Sequence, residues 1–167
     1  EDSTEALGSY YKGKHAGSFG LMGTFSYNGN KIITTGGGGM IVTNDETLAR
    51  KAKHLTTQAK CDPFEYKHDE IGYNYRLVNV AAAMGVAQME LLPSFIQRKK
   101  EIIAYYKERL EGVGDISFQQ VDEMVNPNWW MPTIKTARQR EVLKILNDHQ
   151  MQSRPFWVPM NQLPMFV

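Results

Sequence analysis

Four consecutive glycines, Gly36–Gly39, set between two short apolar runs constrain this chain more than any other feature. Upstream of them Thr24-Phe25-Ser26-Tyr27 reads as a strand and Asn28-Gly29-Asn30 as a turn. Lys31 to Thr35 alternate β-branched residues, and Met40-Ile41-Val42-Thr43 reads as a further strand. Backbone that carries no side chains can approach a ligand, or a facing subunit, without clash. Lys31 stands between the turn and that glycine run. Taken alone, a lysine at a strand end is most simply a solvated charge. Held against packed backbone, it is the kind of lysine that captures an aldehyde as a Schiff base. Ser26 precedes it closely enough for its hydroxyl to face the same cavity and bind a phosphate oxygen. The glycines do not form a P-loop, because no Lys-Ser or Lys-Thr pair follows them.

A second cluster opens the chain. In Glu1-Asp2-Ser3-Thr4-Glu5-Ala6-Leu7-Gly8-Ser9, the plain reading is a helix start over residues 1–9 with Asp2, Ser3 and Thr4 as caps. The sharper one uses Asp2 as a carboxylate that holds a protonated pyridine nitrogen, with Glu5 pointing at the same pocket. Beyond the glycines, Asn44-Asp45 caps a helix over about 45–57, and residues 58–70 read as an exposed loop. An apolar stripe from Val80 to Leu92 predicts a helix that stops at Pro93, followed by a second helix over about 94–111 ended by Gly112 and Gly114. Strands follow at 116–119 and 129–133, then a helix over about 137–150 and the segment 153–160. The pattern is α/β, with a boundary near 93–112.

Composition narrows the function classes. Nineteen basic residues balance eighteen acidic ones for a net charge of +1, which gives no electrostatic footprint for nucleic acid or an anionic membrane. No apolar run approaches the roughly 18 residues of a membrane span, and no residue set is singled out as a metal site. A single cysteine, Cys61, cannot form an internal disulfide and fits a reducing cytoplasm. The chain opens on a candidate site motif without an initiator Met and stops on an apolar stretch, so the expectation is a piece of a longer protein. Trp129, Trp130 and Trp157 could form a sugar-stacking platform, although core or interface packing is the simpler role.

The two clusters together, with Gly13-Lys14-His15-Ala16-Gly17-Ser18-Phe19-Gly20 between them, resemble the DegT-type sugar aminotransferases. The resemblance runs on through Gly72-Tyr73-Asn74-Tyr75-Arg76-Leu77 and Ala81–Gln88 into Arg154–Met160, and so covers nearly the whole chain. It implies a type I pyridoxal-phosphate aminotransferase fold that is incomplete. Residues 1–92 would be the C-terminal half of the large domain, 93–112 a connecting helix and 113–167 a truncated small domain. It implies pyridoxal 5′-phosphate as cofactor, glutamate and a nucleotide-linked 4-keto-6-deoxy sugar as substrates, and amination at C4. The wording is similar to that of the enzymes for bacillosamine, legionaminic acid and perosamine, hence to cell-surface polysaccharide biosynthesis. By the resemblance Lys31 is the Schiff-base lysine, Asp2 the partner of the pyridine nitrogen, Glu5 a group near the ring, and Ser26 a phosphate ligand. Asn74 would reach the phosphate of the neighbouring subunit in a homodimer with shared active sites. Arg76 and Asn30 are the candidates for substrate contact. The family's helix-start phosphate cradle and ring-covering aromatic precede the Asp motif, so these residues alone are expected to be inactive. Two rivals from other classes remain: a pyridoxal-phosphate-binding regulator or non-catalytic homologue, and an interaction module that docks through the 80–111 helices.

Overall fold

The structure is a computed structural model that describes residues 1–166. Residues 1–3 run beside the strand β3 (Gly23–Ser26), with Ser3 N–H donating to the Thr24 carbonyl and Thr24 N–H to that of Glu1. β3 pairs antiparallel with β4 (Gly39–Val42) in the register Gly23↔Val42 to Ser26↔Gly39. The expected strands at 24–27 and 40–43 are thus present, each shifted by one residue. The close approach explains one glycine of the run. A Cβ on Gly39 would lie 2.3 Å from the Phe25 carbonyl oxygen, so no larger residue fits opposite Ser26. Gly36 and Gly38 have φ of 80° and 86°, which L side chains adopt at a cost.

The first nine residues do not form the expected helix. They make consecutive turns (Ala6 N–H to Ser3, Ser9 N–H to Ala6) because their leading end is tied to β3. β1 (Tyr10–Tyr11) then pairs with β2 (Lys14–His15) on one side and with the distant β6 (Val125–Asn126) on the other. Lys31–Thr35 is likewise not a strand: it is a chain of bends that buries Ile33 to 1% exposure. Ile33 joins Leu7, Phe25, Tyr27 and Leu92 in the core, with Ile32, Val42, Phe95 and Ile96 packed around them.

Helix α1 (Glu46–Thr56) begins where the sequence places it, because the Asp45 carboxylate accepts the N–H groups of Thr47 (2.8 Å) and Leu48 (3.0 Å). α2 (Asn79–Leu110) corrects the expected pair of helices, since it runs on through Pro93. A proline inside a helix removes a hydrogen bond and clashes with the preceding turn. Here Leu92 is buried and Phe95 and Ile96 pack on the same core, so side-chain burial on both sides of Pro93 outweighs the local defect.

The chain divides into two compact units. The first holds residues 1–106 and 120–132, the second 107–119 and 133–167. Residues 120–132, expected in the small domain, thus belong with the first unit, where β6 adds to β1. The expected strand at 129–133 is absent: Trp129 takes φ 52°, and the pairing strands of the second unit are β5 (Ser117–Phe118) and β7 (Ile134–Lys135). Helix α3 (Gln139–Asp148) follows within that unit. No helix among the described residues is long and apolar enough to cross a membrane.

Candidate active site

The β3 terminus, the 28–31 turn and the opening segment bring one amine and two carboxylates together. Lys31 Nζ is ion-paired with Glu5 Oε1, and its side chain is only 12% exposed. Glu5 Oε2 accepts from the Thr4 hydroxyl at 2.7 Å, and the same hydroxyl lies 2.8 Å from Asp2 Oδ1. Thr4 has a single hydroxyl proton, so it serves one carboxylate at a time and leaves two negative groups facing one lysine. The two residues singled out at the start of the chain and the lysine of the glycine segment therefore form one continuous cluster.

The electrostatics follow from those contacts. Asp2 lies below the usual carboxylate range because Thr4 donates to it through both hydroxyl and N–H, with a further contribution from the Lys31 charge. For Glu5, partial burial pushes upward, but the hydrogen bonds from Lys31 and Thr4 outweigh it and the net shift is downward. Both acids are thus held ionised.

Three contributors to the site are not visible in the sequence. One is Thr4. The others lie about a hundred positions from the lysine, in the segment that joins the first unit. The Trp130 ring centroid is 4.8 Å from Lys31 Nζ, and its indole N–H donates to the Asn30 carbonyl at 2.6 Å. Trp130 is therefore a wall of the lysine's surroundings, packed within the first unit. Asn128, 5% exposed, holds the tryptophan there. Its amide donates to the carbonyls of Glu5 (2.8 Å) and Leu7 (3.0 Å), while its own oxygen accepts Trp130 N–H (2.9 Å). The only advance signal is turn chemistry in Asn126-Pro127-Asn128.

The remaining predicted residues are placed less closely. Ser26 ends β3 with its oxygen 3.3 Å from Asn28 N–H, and the Asn30 side chain accepts from Asn28 at 3.1 Å. Neither has a direct contact with Lys31 among those described. Asn74 and Arg76 line a separate, open recess of about 470 Å³ with Lys53, Thr57, Gln58 and Lys60. Tyr73 and Tyr75 donate their N–H groups to the Leu55 and Thr56 carbonyls at the end of α1, which turns the alternate residues 74 and 76 to this recess.

The same architecture is found in solved sugar aminotransferases. The aminotransferase TlmJ from Streptoalloteichus hindustanus superposes with a TM-score of 0.93 at 25% identity, over 100% of this chain and 46% of that one. Helicobacter pylori PseC, an aminotransferase involved in the biosynthesis of pseudoaminic acid, gives 0.90 at 27% identity, over 99% and 46%. The fold is thus part of the type I aminotransferase fold. A family model for the DegT/DnrJ/EryC1/StrS aminotransferases matches residues 1–167, and the chain belongs to that family. It is 44% identical over 169 residues to the GDP-perosamine synthase of Escherichia coli O157:H7, covering 99% of this chain and 46% of that protein. With the UDP-4-amino-4,6-dideoxy-N-acetyl-beta-L-altrosamine transaminase of Campylobacter jejuni it shares 38% over 113 residues, covering 66% and 30%. The chain spans less than half the length of these relatives.

Proposed function

We propose that this chain carries the lysine-bearing part of a pyridoxal 5′-phosphate-dependent aminotransferase. The enzyme would move an amino group from glutamate to the C4 carbonyl of a nucleotide-linked 4-keto-6-deoxy sugar. The observation that carries the reading is the unbroken contact chain Asp2–Thr4–Glu5–Lys31. The donor set fits the cofactor: one partly buried amine for its aldehyde, an ionised carboxylate for its ring nitrogen, and the Ser26 hydroxyl for its phosphate. Bound there, the cofactor supplies an electron sink for a carbanion at the amino-bearing carbon.

The residues of the chain do the rest. The Lys31 amine would hold the cofactor through its aldehyde, with loss of water, and once freed would be the base that moves the proton of the amino-bearing carbon. Asp2, kept ionised by Thr4 and the Lys31 charge, would pair with the protonated ring nitrogen and keep its proton in place. Glu5 accepts from Lys31 and fixes the direction of the amine. Asn30 is assigned to the sugar nucleotide at the Lys31 of its own chain, and Arg76, which shares a recess with Asn74, to that of the other copy. In a homodimer with shared sites, Asn74 would serve the phosphate bound by the other copy; its position in a recess apart from Lys31 supports this. The exposed free thiol of Cys61 is compatible with a reducing cytoplasm.

The test is borohydride reduction of the intact enzyme with cofactor, followed by peptide mapping. Label should appear on Lys31, and Lys31→Arg should abolish it and reduce glutamate-dependent amination by at least about a hundredfold. Label on another lysine, or amination surviving in Lys31→Arg, would overturn the assignment.

A further inference from the structure

The segment 124–130 is pinned to the site at every few residues. β6 pairs with β1, Lys12 N–H donates to the Met124 carbonyl (2.8 Å), and Asn128 N–H donates to the Ser9 hydroxyl (3.0 Å). Asn128 then fixes the backbones of Glu5, Leu7 and Trp130 together, and Lys99 Nζ donates to the Trp130 carbonyl at 3.1 Å. Between these anchors Trp129 is held at φ 52°. A bulky residue in the left-handed region is strained and persists only where its surroundings over-determine it. The strain turns the chain so that the next side chain, Trp130, meets the lysine. Its ring lies against Nζ and its N–H closes on the carbonyl of the residue just before Lys31.

From these contacts we infer that Trp130 is a positioning residue for the reactive amine: its ring and its N–H bond to Asn30 hold Lys31 Nζ on the line set by Glu5. The inference rests on Lys31 being the cofactor lysine. The mechanism is steric and electrostatic. Glu5 restrains the amine from one side, and the indole face attracts it from another, leaving fewer directions for a four-carbon stem that is otherwise mobile. The N–H bond to Asn30 fixes the turn that carries the stem, so the ring and the lysine backbone move as one. A ligand joined to Lys31 would lie against this indole, which makes Trp130 its optical neighbour.

The experiment compares the intact enzyme with Trp130→Leu, Trp130→Phe and, as a control tryptophan of the second unit, Trp157→Phe. Cofactor capture at Lys31 is followed by stopped-flow absorbance, and indole emission is recorded before and after saturation. A cation–ring contact of about 0.5–2 kcal/mol corresponds to about a 2- to 30-fold change. Trp130→Leu should slow capture by that amount. Trp130→Phe, which keeps a ring and loses only the N–H bond, should recover part of the rate. Both should lose most of the emission quenching that saturation causes, whereas Trp157→Phe should keep rate and quenching. If Trp130→Leu does not fold, the phenylalanine variant decides: an unchanged capture rate with unchanged quenching overturns the inference, as do unchanged rates in both variants. Failure of the parental enzyme to capture cofactor at Lys31 would instead sink the functional reading.

Discussion

The side chain of Glu1 shows how much a single residue organises near the site. Its carboxylate accepts the N–H groups of Gly17 (2.6 Å), Phe19 (3.0 Å) and Gly20 (3.2 Å), and so gathers the 17–20 loop against β3. The Gly17 N–H above all lowers its pKa from 4.5 to about 2. A carboxyl whose folded pKa is depressed contributes stability that is complete above its unfolded pKa and is lost as pH falls through the folded one. The advantage of the parental chain over Glu1→Gln should therefore be full at pH 6 and shrink between about 4.5 and 2. Urea unfolding at several pH values checks this, and a constant difference down to pH 2 would refute it. At this scale Lys31, Asp2 and Glu5 were legible in the sequence because each belongs to a contiguous motif whose chemistry is local. Trp130 and Asn128 were not, since what defines them is a contact across about a hundred positions. Nothing in the neighbouring residues encodes that distance. Thr4 was read as a cap, whose hydroxyl would accept from backbone N–H groups, yet here the hydroxyl donates to a carboxylate of the site.

Among the elements, the one with the strongest local signal behaved as expected. α1 starts at its Asp45 cap and carries Lys53 in its last turn, where positive charge suits a helix C-terminus. Asp45→Ala leaves the Thr47 and Leu48 N–H groups without their acceptor and should cost about 1 kcal/mol, with Asp45→Asn losing much less. Thermal or urea unfolding of the two variants measures the difference; equal losses would mean that charge rather than capping geometry matters. Elements failed where tertiary contact overrode local preference. Pro93 reads as a stop, yet Leu92 and Ile96 on the two sides of it reach one core, so the helix continues. Residues 1–9 read as a helix, yet pairing with β3 captures their first backbone groups. The stretch 129–133 reads as a strand from its aromatics, yet Trp129 takes φ 52° and Trp130 packs against Lys31. Two of these three misreadings border the site, where function competes with regular structure.

For the molecule as a whole, the deciding quantity is surface. A folded monomer of 19.0 kDa exposes about 8,400 Å² by the usual scaling of area with mass. This chain exposes 12568 Å². The excess of about 4,000 Å² on this one chain is more than the roughly 1,000–2,500 Å² that each partner of an obligate pair buries. Much of it is apolar: Val80 is 76% exposed, Val86 61% and Leu91 52% along α2, and Phe64, Ile71 and Tyr75 exceed 70% in the segment before it. Patches of this kind are rare on a protein that works alone, because water gains by covering them. The relatives are about twice as long, so the remainder of a family fold is one source of cover and a second copy another. Taken as the 167-residue chain, the molecule should therefore associate with itself. Sedimentation velocity over a hundredfold range of concentration should give a weight-average mass that rises above 19.0 kDa, with binding of a hydrophobic dye that falls as association proceeds. A monomer at every concentration, with no dye bound, would mean that these side chains are covered within the chain itself in solution.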